Sequence, residues 1–273
     1  IIDKGKDVKD LSIGQDVVIF PANIDLIDFS KTITNEHYMP EYRILGEHIN
    51  GVQSENLVIS SKNVFPIPDK LNFIDASTFP LVFMTAYEML VEKAKIKEGD
   101  KVLIIGANSG IGSAAVQIAK QFKSIVYSTV SSKEKFNYAE YLGSDFVYCH
   151  NNNFHTSISK DVGKDKFDII IEHIGEHTWD SSIRLLGIGG RLIFCGSTTG
   201  YNVNINLKHM FVKQQSIIGS SMSSLSTFKK VIKMIESFNF KSINDKTFSF
   251  SEAVIAHKYI ESRKNIGKIT LVP

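Results

Sequence analysis

The stretch that most constrains this chain runs from Lys101 to Ile105, a continuous apolar, largely β-branched run, into Gly106-Ala107-Asn108-Ser109-Gly110-Ile111-Gly112. Behind it follows Ser113-Ala114-Ala115-Val116-Gln117-Ile118-Ala119-Lys120, small residues with apolar side chains at helical spacing. An apolar run without alternation reads as a strand buried on both faces, as in a parallel sheet. The sequence therefore predicts strand, glycine turn and helix, and that unit holds a diphosphate. Glycines let backbone N–H groups approach the ligand, and the helix N-terminus adds a partial positive charge. The next apolar run, Ile125-Val126-Tyr127-Ser128-Thr129-Val130, starts directly after the helix, as a βαβ unit requires. The glycine order is G-x-x-x-G-x-G, not the commoner G-x-G-x-x-G, so the context carries more of the reading than the glycines do.

The same period continues. Strands are predicted over 101–106, 125–130, 146–149, 167–173, 191–196 and 216–219, with helices over 109–122, 132–142, 154–162, 177–186 and 207–214. Six strands with helical crossovers make a doubly wound parallel Rossmann sheet. Upstream, residues 1–80 read as mainly β, with strands at Val17–Pro21, Leu57–Ser60 and Val64–Pro68. Between the first two lies an irregular polar lobe, 22–43. A helical region opens at Ile74 and runs to about Lys93. After the sheet, Phe228, Val231, Ile232 and Ile235 mark an amphipathic helix. A final helix and strand, Ser251 to Val272, are expected to return to the first domain. The expected division is 1–82 with 240–273 for a mainly β domain, and 83–239 for the Rossmann domain.

Charge and composition exclude some classes. A net charge of +2 with dispersed lysines gives no basic stripe for nucleic acid. No apolar run is long enough for a membrane-spanning helix. Two cysteines, Cys149 and Cys195, are too few for a disulfide framework and suit a reducing cytoplasm. The chain opens on Ile1-Ile2-Asp3-Lys4-Gly5, which reads as a strand already under way, so a missing N-terminal segment is expected.

The residues Gly106 to Gln117 resemble the coenzyme loop of the medium-chain dehydrogenase/reductase superfamily, in particular its quinone oxidoreductase and enoyl reductase branches. Other pieces match in order: Gly14-Gln15-Asp16-Val17-Val18, Ile44-Leu45-Gly46-Glu47-His48, Phe79 to Tyr87, Gly189-Gly190-Arg191 and Gly267-Lys268-Ile269-Thr270-Leu271. The resemblance covers the whole chain and extends to zinc-type alcohol dehydrogenases and acryloyl-CoA reductase relatives. It implies a GroES-like first domain, a nicotinamide cofactor and a small-molecule substrate.

The departures from the pattern carry the functional expectations. Where members of the family hold a structural zinc with four cysteines, the corresponding positions are Asp25, Asp28, Lys31 and Met39, which cannot form a tetrahedral thiolate site. Phe29, Tyr38 and Tyr42 are expected to hold the lobe instead. The third ligand of the family's catalytic zinc corresponds to Leu81, which has no lone pair to offer. No zinc is expected at either site. Backbone amides of Ser109, Gly110, Ile111 and Gly112 are expected to cradle the diphosphate, with Ser109 also a helix cap. The second strand ends on Val130 rather than a carboxylate, followed by Ser131-Ser132-Lys133-Glu134-Lys135. Ser131, Ser132 and Lys135 are therefore expected to favour NADP over NAD, unless Ser132 is only a cap and the lysines only solvated. Gly175, Gly196 and Ser197 fall on the carboxyl edge of the sheet, where ligands bind. Thr85 and Glu47 are the catalytic candidates, with His48 beside Glu47, and Phe83, Met84 and Phe211 could exclude water. His150, His155, His173, His177 and His209 read as structural or solvated.

These readings favour a zinc-independent NADPH-dependent reductase acting on a quinone or an α,β-unsaturated carbonyl. A zinc alcohol dehydrogenase and a non-catalytic cofactor-binding protein remain as alternatives. A short-chain dehydrogenase is rejected, because no tyrosine has a lysine four residues on. A homodimer paired through the last Rossmann strand, 216–219, is also expected.

Overall fold

A computed structural model of the 273-residue chain describes every residue except 26, 29, 31–34, 152 and 165. The chain divides into two compact units, Ile1–Met84 with Met222–Pro273, and Thr85–Ser221.

The second unit is built on six parallel strands: β1 (Lys101–Ile104), β2 (Ile125–Val130), β3 (Phe146–Cys149), β4 (Phe167–Glu172), β5 (Leu186–Phe194) and β6 (Ser216–Gly219). Their order across the sheet is 6-5-4-1-2-3, and every neighbouring pair is parallel. The helices are α1 (Gly110–Gln121), α2 (Phe136–Leu142), α3 (Phe154–Val162), α4 (Glu176–Leu185) and α5 (Leu207–Val212). The chain winds outward from β1 to β3 and then returns to β4 on the other side of β1. With right-handed crossovers this places the two halves' helices on opposite faces. The central strands are dry: Val102 through Ile105 and Ile169 through Ile171 have no exposure. Phe154, Phe167, Trp179 and Leu192 pack with Leu103 and Ile170 into one cluster on one face. The order reverses between β1 and β4, and a ligand crevice forms at the carboxyl ends of strands where that happens.

Strands β2, β3 and β6 have the expected ends. Strand β5 begins earlier, at Leu186, because its pairing with β4 slips between Phe167 and Ile169 and so absorbs the Gly187–Gly190 segment. The helix expected over 132–142 is a short 3-10 turn, Lys133–Lys135, followed by α2.

In the first unit, described strands pair two by two: Val17–Ile19 with Val64–Pro66 and Ala22–Asn23 with Arg43–Ile44, both antiparallel, and Asn244–Ser249 with Lys268–Val272, parallel. The strand expected over Leu57–Ser60 has no ladder partner, and Val58 is fully exposed. The strand Asn244–Ser249, absent from the sequence reading, pairs with the C-terminal strand across the helix Ala253–Glu261.

The expected boundary at 239 is displaced to 221, and the cause is one aromatic residue. Phe228, on the helix Leu225–Ser237, has no exposure and sits 5.5 Å from the rings of Phe20 and Phe65 and 6.3 Å from Phe79, all in the first unit. The irregular lobe is held partly as expected. Tyr42 is buried against Phe20 and donates to the Ser223 carbonyl at 2.9 Å, and Leu225 N–H donates to the Glu36 carboxylate. Tyr38 is 56 % exposed and stacks on His37, and Phe29 lies outside the described residues. Phe83 and Met84 are core, with Phe83 against Phe240, so they do not form a water-excluding wall.

Phe228→Ala should therefore lower the unfolding free energy by about 3–5 kcal/mol, the usual cost of emptying a buried aromatic site. Urea denaturation followed by circular dichroism checks this, and a loss below about 1 kcal/mol would place the helix outside that core.

Candidate functional site at the carboxyl edge of the sheet

The glycine turn joins β1 to α1. Gly106 has φ +72°, and a Cβ there would stand 2.9 Å from His173 Cε1. At Gly112 a Cβ would stand 2.2 Å from the Gly106 carbonyl oxygen. Both positions are therefore closed to any side chain by the protein itself, before a ligand is considered. Ser109 caps the helix: its Oγ accepts from Gly112 N–H at 2.9 Å, and its carbonyl accepts from Ser113 N–H at 2.8 Å. Ser109 N–H donates to the Gly106 carbonyl at 2.9 Å.

Of the four backbone amides assigned to a diphosphate, those of Ser109 and Gly112 are used inside the turn. The amides of Gly110 and Ile111, the first two residues of α1, have no intrahelical acceptor and no partner among the described residues. Two free N–H groups at the positive end of a 12-residue helix, at the sheet's crevice, suit a diphosphate and therefore a dinucleotide.

The far side of the crevice is shaped by Glu172, the last residue of β4, which has no exposure. Its Oε1 accepts from the backbone N–H groups of His173 (2.9 Å), Ile174 (2.8 Å) and Gly175 (3.3 Å). Its Oε2 accepts from the Thr178 hydroxyl at 2.9 Å and the Ser182 hydroxyl at 2.8 Å, both on α4. Burial pushes this carboxyl's pKa up, and the hydrogen bonds oppose the shift. The same burial, with the Glu172 charge, raises the Cys195 thiol to about 12 and keeps it protonated. Gly175, Gly196 and Ser197 lie where the sequence placed them, at the ends of β4 and β5. The Ile174 carbonyl ties the two loops by accepting from Thr199 N–H at 2.9 Å.

His173, read from sequence as structural or solvated, is a site residue that reading missed. Its Nε2 lies 2.7 Å from Ser109 Oγ. On the other flank, His150 Nδ1 lies 3.2 Å from Thr129 Oγ1, which accepts from Gly106 N–H at 3.2 Å. Burial lowers both histidines to about 4, helped at His150 by His177 and Lys135 and at His173 by His150.

At the end of β2, Ser131 is exposed and Ser132 partly so. Lys135 is not a solvated lysine: it is 8 % exposed, and its charge bears on His150. The Ser132 hydroxyl lies 3.4 Å from the Glu134 carboxylate, so a negative charge reaches back to a position that the residue at the strand end, Val130, leaves neutral. Thr85, the first residue of this unit, is buried in the helix Pro80–Tyr87. Glu47, in the first unit, is exposed on a turn that His48 closes by accepting Ile44 N–H on Nδ1 at 3.1 Å. Phe211, on α5, is 70 % exposed.

No described group of three or more His, Cys, Asp and Glu side chains could hold a metal ion, and Lys31 lies outside the described residues. No described helix is long and apolar enough to cross a membrane.

Residues 110–237 match the zinc-binding dehydrogenase family. A solved NAD-dependent alcohol dehydrogenase superposes with a TM-score of 0.92 at 30 % identity, over 100 % of this chain and 80 % of that one. The chain belongs to the medium-chain dehydrogenase/reductase superfamily. Human quinone oxidoreductase is 32 % identical over 64 % of this chain and 53 % of its own length. The 2-octenoyl-CoA carboxylase reductase CinF, solved with NADP and 2-octenoyl-CoA, is 27 % identical with a TM-score of 0.90, covering 99 % of this chain and 65 % of that one. The chain spans 66 % of the crotonyl-CoA reductase of Streptomyces avermitilis, at 26 % identity, and 53 % of the human quinone oxidoreductase.

The histidines make the stability of this superfamily member pH-dependent. Their folded pKa values lie below the ordinary 6.5, so protonation favours the unfolded chain. Their contribution is complete above pH 6.5 and is lost as the pH falls toward 4. The urea midpoint should drop over that window, and His150→Gln with His173→Gln should flatten the drop. An identical slope in the double variant would contradict the assignment.

Proposed function

We propose that this protein is an NADPH-dependent reductase that delivers hydride to a quinone or to an α,β-unsaturated carbonyl or thioester without a metal. The observation that carries the reading is the pair of free amides, Gly110 and Ile111, at the mouth of α1, where the strand order reverses. Bound there, the dihydronicotinamide cofactor would supply the hydride; the chain's own residues bind and orient it. The Gly110 and Ile111 amides would take the diphosphate. Ser131, Ser132 and Lys135 would meet the adenosine ribose and its 2′-phosphate, with Gly175, Gly196 and Ser197 along the crevice. Thr85, in the second unit, and Glu47, in the first, are our catalytic candidates on the resemblance alone.

An acceptor polarised by its own carbonyl needs no Lewis acid, and the residue at the third catalytic-zinc position, Leu81, offers no donor atom. The names of the relatives support this acceptor class: a quinone oxidoreductase and a reductase solved with an enoyl thioester and NADP. The alcohol dehydrogenase neighbour supports a second reading, oxidation of an alcohol with NAD.

NADPH should bind more tightly than NADH in a fluorescence titration, by roughly tenfold if one charge-assisted bond to the 2′-phosphate is gained. Glu134→Gln should widen that gap, because it removes the carboxylate near Ser132. Equal affinities, or NAD-linked oxidation of simple alcohols with no reduction of any enone or quinone, would favour the second reading.

Assembly forms part of the proposal. Among the described residues strand β6 is a sheet edge, paired with β5 alone, and Leu207, Phe211 and Val212 on the neighbouring α5 are exposed. Pairing of two β6 edges about a two-fold axis would cover them. Light scattering at micromolar concentration should give a dimer, and a monomer would contradict this pairing.

A further inference from the structure

The hydroxyl of Ser109 has one proton to give and two lone pairs to receive with. One lone pair is occupied by Gly112 N–H at 2.9 Å. The nearest acceptor for its proton is His173 Nε2, at 2.7 Å. With Nε2 accepting, the ring proton of a neutral imidazole must sit on Nδ1. Nδ1 is buried and has no partner among the described residues. The other tautomer would leave both the Nδ1 lone pair and the Ser109 proton unused, so the Nδ1–H form strands fewer groups. The ring lies close over the start of the turn: a Cβ on Gly106 would stand 2.9 Å from His173 Cε1 and 3.3 Å from its Nε2. The backbone N–H of His173 is held in turn by Glu172.

Resting on the reading of this turn as the dinucleotide site, we infer that His173 is its positioning residue. By taking the Ser109 hydroxyl proton at Nε2, it fixes that hydroxyl as the cap of Gly112 and leaves the Gly110 and Ile111 amides as the diphosphate donors. His173 touches no ligand in this arrangement and acts through Ser109. Ser109 then serves as a cap alone and gives no hydrogen bond to the cofactor.

A double-mutant cycle tests this on the whole chain. His173→Ala and Ser109→Ala should each weaken NADPH and NADH binding alike, by up to about tenfold, the equivalent of one lost cap. The double variant should bind no worse than Ser109→Ala, because the two side chains work as one unit. His173→Gln, whose side-chain oxygen can reach the Nε2 position, should recover most of the affinity. Additive losses, wild-type affinity in His173→Ala, or no recovery in His173→Gln would overturn the inference. Nitrogen-15 NMR of the unliganded wild-type protein provides a readout independent of cofactor and of variant folding. An Nδ1-protonated imidazole at neutral pH is expected for His173, and an Nε2-protonated one would overturn the inference. If the wild type bound neither NADPH nor NADH, the proposed function would fall, and the tautomer would still decide the Ser109–His173 contact.

Discussion

The candidate site depends on one buried carboxylate. Glu172 ends a strand with no exposure, and a charge placed there is costly unless donors surround it. Five do, three from the turn that follows it and two from α4. Those bonds make the turn 173–175 a fixed surface. The fixed turn presents His173 to Ser109, Ser109 caps α1, and the cap decides which amides stay free. Each link spans one hydrogen bond, so the order at the helix mouth is inherited from the far side of the switch point. An apolar side chain of similar volume at 172 would leave three backbone donors without their acceptor, at about 1–3 kcal/mol for the buried Gly175 N–H and less for the two partly buried ones.

Much of the fold was legible because its signals are local. Runs rich in β-branched residues, bounded by turns, such as Ile125–Val130 read as buried strands, and the glycine turn after Ile105 fixes where α1 begins. The glycines were read correctly and explained incompletely. Gly106 and Gly112 are closed to a side chain by His173 and by the Gly106 carbonyl, contacts within the protein that the sequence reading did not anticipate. The boundary at 221 was not legible. The spacing of Phe228, Val231, Ile232 and Ile235 shows that the helix has an apolar face but cannot say which core receives it. The strand Asn244–Ser249, polar at its start, has no alternation strong enough to declare it. Leu57–Ser60 failed in the opposite direction: its composition suits a strand, but no strand among the described residues pairs with it.

The electrostatics of the site were the least legible part. A lone Glu after Phe167–Ile171 looks like a surface residue, and its donors come from its own turn and from residues 178 and 182. The one signal that could have marked it is the run Glu172-His173-Ile174-Gly175, which puts an acid and an imidazole at a carboxyl edge already assigned to a ligand. Lys135, expected from the sequence to favour NADP, is buried, and Glu134, to which the sequence reading gave no role, lies 3.4 Å from the Ser132 hydroxyl. Both sit at the end of β2, where we propose that the adenosine ribose binds. A choice of cofactor made there would balance two neighbouring side chains of opposite charge, which sequence alone does not resolve.

The central claim is that a dinucleotide diphosphate binds at the two uncommitted amides of α1. Titrating NADPH into nitrogen-15-labelled protein and following the backbone amides tests it most directly. The Gly110 and Ile111 resonances should shift downfield with saturation, as amides that gain a charged acceptor do, while those of Ser109 and Gly112, already bonded within the turn, should move much less. Saturable binding with the largest shifts elsewhere, and Gly110 and Ile111 unmoved, would contradict the account.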